Sequence, residues 1–458
     1  MNIPTALHFV GIGGMGMSAI AQVWHAKGRP VTGSDAHASA TLQRLGGYGI
    51  GIHVGHSAEY VGQAEALVVS TAVNEENPEV KEARRLGLPV LHRSEVLGAL
   101  MREKTSIAVT GTHGKTTTSA MVASVLLEAG VDPTVLLGGE LPYLGGNARA
   151  GEGPFLVAEA DESDKSIRNL FAEIAILTNL ESDHLDHYKD VDEIIEVMLA
   201  FINSLGPSAK LVACSDDPGV RRLLPHVRAQ VVTYGWGPEA DFRIEGEALT
   251  AGGSTFRIGE DSFALQVPGR HNIANATAAI AACRLLCIDT GAIAAGLASF
   301  TGVKRRFQTI GSVGGVTVID DYAHHPSEIR ATLQAAKLLD RPVHAVFQPH
   351  RHSRLEALLN EFAQSFGGVA SVTVMETYSA GEAPRQVNSG SLASLIQRYE
   401  PGLAVQQPQS MSAAVTQLAD AVKPGDLVLL LGAGDIHTLA QPLLAAIEAR
   451  LNLSAQTA

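Results

Sequence analysis

The sequence holds three cysteines in 458 residues, Cys214, Cys283 and Cys287. Three cannot make a disulfide framework, and Cys283 and Cys287, close together in an alanine-rich segment, read as small core residues on a helix. Positive charge is also scarce: 34 Lys and Arg against 47 Asp and Glu leave a net charge of −13. A nucleic-acid partner needs clustered cations to neutralise phosphate, so that class is excluded. No apolar run approaches the roughly 20 residues of a membrane-spanning helix. The stretch MNIPTALHFVGIGGMGMSAIA has no Lys or Arg before Lys27 and is interrupted by glycines, which makes a poor secretion signal. The expectation is a globular protein of a reducing cytoplasm.

What is present is alternation. Short apolar runs bounded by glycine or polar residues alternate with longer helical patterns, the signature of parallel α/β sheets. The length calls for several domains. Three blocks can be drawn, residues 1–102, 103–302 and 303–458. The third contains VTVIDDYAHH, VHAVFQPHR, VTVMETY and LVLLLGAGD, each a strand-like run ending in polar or glycine residues. The predicted fold is α/β in three domains: Rossmann-like, P-loop ATPase-like, and Rossmann-like again. Loops at the carboxyl ends of such strands are where ligands bind.

The segment AVTGTHGKTT reads as strand, loop, helix. Gly111, Thr112, His113 and Gly114 would present backbone N–H groups to phosphate, Lys115 a point charge, and Thr116 and Thr117 the helix start. Thr116 stands where P-loops place the hydroxyl that binds Mg²⁺. The usual first glycine is replaced by Val109. A metal held on phosphate needs acids nearby. GPFLVAEADESD and IAILTNLESDHLDHY each end a strand in acids, among them Glu159, Asp161, Glu162, Asp164, Glu181 and Asp183, which favours a Mg²⁺ site.

Near the amino terminus, Gly11, Gly13 and Gly16 have the G-x-G-x-x-G spacing between a strand and a helix, and Asp35 follows where a ribose hydroxyl would be met. Alone, this motif suggests a nicotinamide dehydrogenase. Hydride transfer has no use for a second, ATP-type loop, so the first domain is read as holding a sugar nucleotide as substrate.

GIGGMGMSAIA, AVTGTHGKTTT, EADESD, TNLESDHLDHY, PGRHNIANATAA, KRRFQ, DDYAHHPSEI and FQPHRHSR together resemble the Mur ligase family, in order and across almost the whole chain. The resemblance implies a bacterial cytoplasmic enzyme of peptidoglycan precursor synthesis that joins L-alanine to the lactyl carboxylate of UDP-N-acetylmuramate, using ATP and Mg²⁺. The neighbouring branch, which attaches a recycled peptide to the same sugar nucleotide, shares several blocks and is the alternative. By the same resemblance, Lys115 contacts the transferring phosphate, Thr116 and Glu159 hold one Mg²⁺, and His184 ligates a second metal. Asn272 and Asn275 read adenine, although at a helix start they could instead be caps. Arg306 reaches the ATP phosphates and Asp321 the ribose, unless Asp321 merely caps the helix after it. Ser70 and Thr71 join Gly13, Gly14, Gly16 and Asp35 on UDP. Arg351 and Arg354 take the carboxylates of alanine and the muramoyl group, with Tyr322 and His324 near the alanine. Catalysis should need closure about residues 299–305. Gly432 and Gly434 read as a tight strand-to-helix turn. The competing class is a P-loop switch that hydrolyses ATP to change partners, which would need neither the sugar-nucleotide cradle nor Arg351 and Arg354.

Overall fold

The computed structural model describes residues 3–183 and 187–457. His184 lies outside the described residues. The chain builds three sheets, each flanked by helices.

The first sheet has five parallel strands, Leu7–Val10, Val31–Asp35, Gly51–Val54, Ala66–Val69 and Val90–His92, ordered third, second, first, fourth, fifth. The direction of winding reverses between the first and fourth strands. That opens a crevice at their carboxyl ends, and the glycine loop and Ser70–Thr71 stand on either side of it.

The second sheet has ten strands. Thr105–Thr110 lies between Phe155–Glu159 and Ile174–Leu177, parallel to both. Parallel pairing brings the three carboxyl ends to one edge, so the GKT loop emerges beside both acidic loops. The register puts Val109 opposite Glu159 and Thr110 opposite Leu177. The helix Lys115–Glu128 is buried nearly all round beneath the helices Arg270–Leu285 and Thr290–Ser299. Gly296 permits that approach, since a Cβ there would lie 2.5 Å from the Cα of Val125.

Two findings depart from the sequence reading. The second sheet is not parallel throughout: Phe242–Thr250, Gly253–Ile258 and Asp261–Leu265 form an antiparallel meander, with Phe256, Ile258, Phe263 and Leu265 inward. Alternating burial on one face is what an antiparallel edge allows. Cys287 is also not a core residue. The helix ends at Leu285, and Cys287 takes φ +60° and is exposed, while Cys283 is buried as expected.

The third sheet orders Gln308–Val313, Val316–Asp321, Leu427–Leu431, Val343–Phe347, Ser371–Val374 and Ala404–Gln406, parallel except for the first. Gly314 and Gly315, at φ +56° and +81°, close the edge hairpin in two residues. Gly432 and Gly434 follow Leu427–Leu431 in a turn into a helical segment, and Arg305 donates to both carbonyls.

The first unit and one face of the second sheet share a single core. The helix Met15–Ala26 packs on the strands Thr134–Leu141 and Gly146–Arg149, and Asn147 Nδ2 donates to the Met15 carbonyl at 2.7 Å. The third unit has separate cores of its own. Its contacts with the second include several polar bridges, such as Lys304 to Glu140 and Ser327 to Glu181. Polar interfaces of this kind are the ones that open.

Candidate active site

The glycine loop is set by the second strand. Gly11 and Ile12 donate backbone N–H to the Ser34 carbonyl at 2.8 and 2.9 Å, and Gly13 donates to Asp35 Oδ2 at 2.9 Å. A Cβ on Gly13 would sit 2.8 Å from that oxygen. Asp35 therefore shapes the loop as well as facing the crevice. Arg93, which the sequence reading missed, brings its guanidinium within 3.0 Å of where a Gly16 Cβ would be. The available signal was its place just after the fifth strand.

The loop after Phe155–Glu159 touches both halves of the site. Glu159 Oε2 accepts from Thr116 Oγ1 at 2.8 Å and from the Gly138 N–H at 2.9 Å. Glu162 Oε1 takes Lys115 Nζ at 2.8 Å. Between and beyond them, Asp161 pairs with Arg93 at 3.0 Å, and Asp164 accepts from Thr71 Oγ1 at 3.4 Å. Burial alone would lower the basicity of Lys115, but Glu162, Asp161 and Glu159 outweigh it and keep the ammonium charged. Burial raises the Glu159 carboxyl against the pull of Lys115 and Thr116.

The GKT loop is pinned by the next strand end. Thr112 and His113 donate backbone N–H to Asn179 O and Oδ1 at 3.0 and 2.8 Å, and Thr178 Oγ1 donates to the His113 carbonyl at 2.6 Å. A Cβ at Gly111, φ +121°, would lie 2.3 Å from Thr178 Oγ1, so only glycine fits. Val109, where a glycine is usual, is buried in the strand, and the loop begins at Gly111.

Beside this loop is a cleft of about 640 Å³ lined by His113, Thr116, Thr117, Asn272, Asn275, Arg306 and Asp321. Gly269 stands at the N-cap position of the helix Arg270–Leu285, so Asn272 and Asn275 do not cap it. They lie in its first turns, with Asn272 Nδ2 donating to the Pro268 carbonyl at 2.7 Å. Asp321 does not cap the helix Pro326–Lys337 either; His325 does. Its oxygens accept instead from the Phe307 and Ala323 N–H groups at 2.7 and 2.8 Å, and burial pushes its carboxyl up to about 6. Glu328, absent from the sequence reading, joins His113 Nδ1 at 3.2 Å, the His324 N–H at 3.0 Å and Arg306 at 3.6 Å.

From the third unit, Tyr322 lies between Arg305 and Arg306, each 5.0 Å from its ring centre. His324 packs edge-on to Tyr322, and burial holds its imidazole down at about 3, hence neutral. Arg351 takes φ +69° at the start of the helix His352–Ala357 and leans toward Glu382 at 3.9 Å. Arg354 is buried and donates from Nε and Nη2 to Asp183 Oδ1. The sequence reading places both arginines on substrate carboxylates; in this arrangement a carboxylate of the protein already occupies the Arg354 fork.

Residues 6–105 match the Mur ligase family catalytic domain, residues 109–283 the Mur ligase middle domain, and residues 305–434 the Mur ligase glutamate ligase domain. The chain is 44% identical to the UDP-N-acetylmuramate--L-alanine ligase of Solibacter usitatus, over 96% of this chain and 95% of that one. It is 45% identical to the protein of the same name from Acidobacterium capsulatum, over 97% and 98%. Among solved structures it resembles UDP-N-acetylmuramate-alanine ligase from Thermotoga maritima, with a TM-score of 0.81 at 30% identity over 97% of this chain and 99% of that one. A murein peptide ligase from Psychrobacter arcticus gives 0.71 at 25% over 97% and 99%.

Proposed function

The chain belongs to the Mur ligase family, and on that premise we propose that it joins L-alanine to UDP-N-acetylmuramate with ATP, in peptidoglycan precursor synthesis. The observation that carries this reading is the loop 159–164. It faces Lys115 and Thr116 on one side and Arg93 and Thr71 of the first unit on the other. One short segment thus borders two nucleotide cradles, as a reaction between ATP and a nucleotide sugar requires. The murein peptide ligase alternative is weaker, since the relatives at 44 and 45% identity bear the alanine ligase name.

A carboxylate and an amine do not condense in water without activation. In this reading the muramoyl carboxylate attacks the γ-phosphorus of ATP, giving an acyl phosphate and ADP. The neutral amine of alanine then attacks the acyl carbon, and inorganic phosphate leaves with the C–O bond pair. Nucleophile and γ-phosphate are both anionic, so neutralising charge and aligning the groups are the main tasks. Lys115 meets the transferring phosphate, leaving Glu162 to do so. Gly111 to Thr117 cradle the triphosphate, Asn272 and Asn275 take adenine, Asp321 the ribose, and Arg306 the phosphates from the third unit.

Thr116 and Glu159 converge two hard oxygen donors beside the phosphate loop, which fits Mg²⁺. The ion, when bound, withdraws charge from the phosphate oxygens. We assign His184 to a second metal on resemblance. Gly13, Gly14, Gly16, Asp35, Ser70 and Thr71 hold UDP. Tyr322 and His324 border the alanine, with Arg351 and Arg354 for carboxylates once Arg354 exchanges Asp183 for substrate.

The domain roles follow: UDP-sugar on residues 1–102, ATP on 103–302, and amino acid with part of ATP on 303–458. Free cysteines and substrates of the nucleotide pool support a cytoplasmic site of action. Among the described residues no helix is long and apolar enough to cross a membrane. The test is phosphate release with ATP, UDP-N-acetylmuramate and L-alanine, omitting each in turn. Release should need all three; undiminished release from ATP alone would favour a hydrolytic switch.

A further inference from the structure

His113, Glu181 and His325 converge where the phosphate loop meets the third unit. The ligand atoms of all three lie within 4.8 Å of one another. His113 Nε2 is 3.7 Å and His325 Nδ1 is 3.8 Å from Glu181 Oε2. The two rings are 4.7 Å apart between centres.

The outward nitrogens fix what the inward ones present. His113 Nδ1 faces Glu328 Oε1 at 3.2 Å, and His325 Nε2 faces the Ser182 carbonyl at 3.2 Å. A carbonyl can only accept, so His325 carries its proton on Nε2 and turns the Nδ1 lone pair inward. That lone pair also accepts the Ser327 N–H at 3.3 Å. Burial opposes a charge on His113, but Glu328 and Glu181 outweigh it and raise the imidazole to about 9, so Nδ1 keeps a proton toward Glu328 and Nε2 holds a second toward Glu181. Two imidazole nitrogens and a carboxylate oxygen thus face one space, which an ion enters by displacing the His113 Nε2 proton and the Ser327 N–H from His325 Nδ1. Imidazoles bind a metal only when deprotonated at the ligating nitrogen, and outer carboxylate and carbonyl partners are what orient metal-binding histidines.

We propose that His113, Glu181 and His325 form a binding site for a borderline transition ion of the Zn²⁺ class, which when filled fastens the third unit to the phosphate loop. Two nitrogens and one carboxylate suit Zn²⁺ rather than Mg²⁺. Tetrahedral Zn²⁺ with bonds of about 2.0 Å places its ligand atoms about 3.3 Å apart, so the two spacings to Glu181 need to contract by about half an ångström and the histidine pair, within 4.8 Å, by up to about 1.5 Å. The fourth position is left for water or a phosphate oxygen. Because His113 and Glu181 come from the second unit and His325 from the third, the ion would oppose their separation. Zinc should therefore slow nucleotide exchange and inhibit turnover.

The experiment is a Co²⁺ titration of the full chain in saturating Mg²⁺, read by the intense visible absorption of four-coordinate Co²⁺. This signal reports on the site whether or not the chain ligates alanine. Wild type should bind one Co²⁺ with that spectrum, and Zn²⁺ should displace it. His325→Asn keeps a helix-capping side chain, and Glu181→Gln keeps an acceptor for Ser327, so both should fold. Both should lose the spectrum, and half-inhibition of ligation should need at least about tenfold more Zn²⁺. Absence of the absorption in wild type, or its persistence in both variants, would overturn the proposal.

Discussion

Arg354 donates to Asp183 Oδ1 from Nε at 3.0 Å and from Nη2 at 2.8 Å, joining the third unit to a loop of the second sheet. Their side chains are 9% and 5% exposed. Removing one partner of a buried pair leaves the other charge uncompensated, at about 3 kcal/mol. Arg354→Ala and Asp183→Ala should each destabilise by about that much, and the double variant by clearly less than the sum, in a denaturant double-mutant cycle. If Arg354 also binds substrate, its loss raises the alanine KM where loss of Asp183 does not. Additive effects on stability would remove the pair as a link between units.

The glycine cradle makes a separate prediction. Gly13→Ala would press its methyl against Asp35 Oδ2, 2.8 Å away. The UDP-N-acetylmuramate KM should rise at least about tenfold, the 1.4 kcal/mol of a disturbed contact, with the ATP KM nearly unchanged. Calorimetric titration with NAD should show no binding to wild type. Tight NAD binding without sugar-nucleotide binding would return the first unit to the dehydrogenase reading.

Asp321 predicts a pH dependence. Burial raises its carboxyl from 3.8 to about 6, so the folded chain holds a proton there that the unfolded chain releases. Stability from this group is complete below 3.8 and lost as pH rises through about 6. The shift corresponds to about 3 kcal/mol at most. Glu181, held down at about 2 chiefly by His113 against its own burial, works in the opposite direction. The difference between wild type and Asp321→Asn isolates the one group. The variant should gain on wild type as pH rises from about 4 to about 6, in urea unfolding. A pH-independent difference would contradict the assignment.

Lys115→Ala removes the charge that we propose meets the transferring phosphate. Turnover should fall on the order of a thousandfold, about 4 kcal/mol of barrier. Near-normal turnover would remove Lys115 from the chemistry.

The parts of this site legible in the sequence are those encoded locally. The glycine spacings, the Lys115–Thr116 pair and the acids ending two strands sit within a few residues of the backbone they serve. Glu328 was not legible, because it reaches His113 across 215 positions and its own neighbourhood reads as an ordinary helix start. Arg93 was missed for the same reason, its partner Asp161 being 68 positions away. The capture of Arg354 by Asp183 depends on how two units pack, which no periodicity records. The antiparallel edge of the second sheet went unread because its alternation is interrupted, with a register shift between Glu245 and Ala248.

Activation of the muramoyl carboxylate by ATP, for attack by alanine, is the proposed step on which the other roles depend. The direct measurement uses UDP-N-acetylmuramate carrying ¹⁸O in that carboxylate, with ATP, Mg²⁺ and L-alanine, followed by mass analysis of the released phosphate. An acyl phosphate leaves with one carboxylate oxygen, so the phosphate should carry a single ¹⁸O for each alanine joined. Phosphate released without label, or label transferred only when an L-alanyl tripeptide replaces alanine, would contradict the claim.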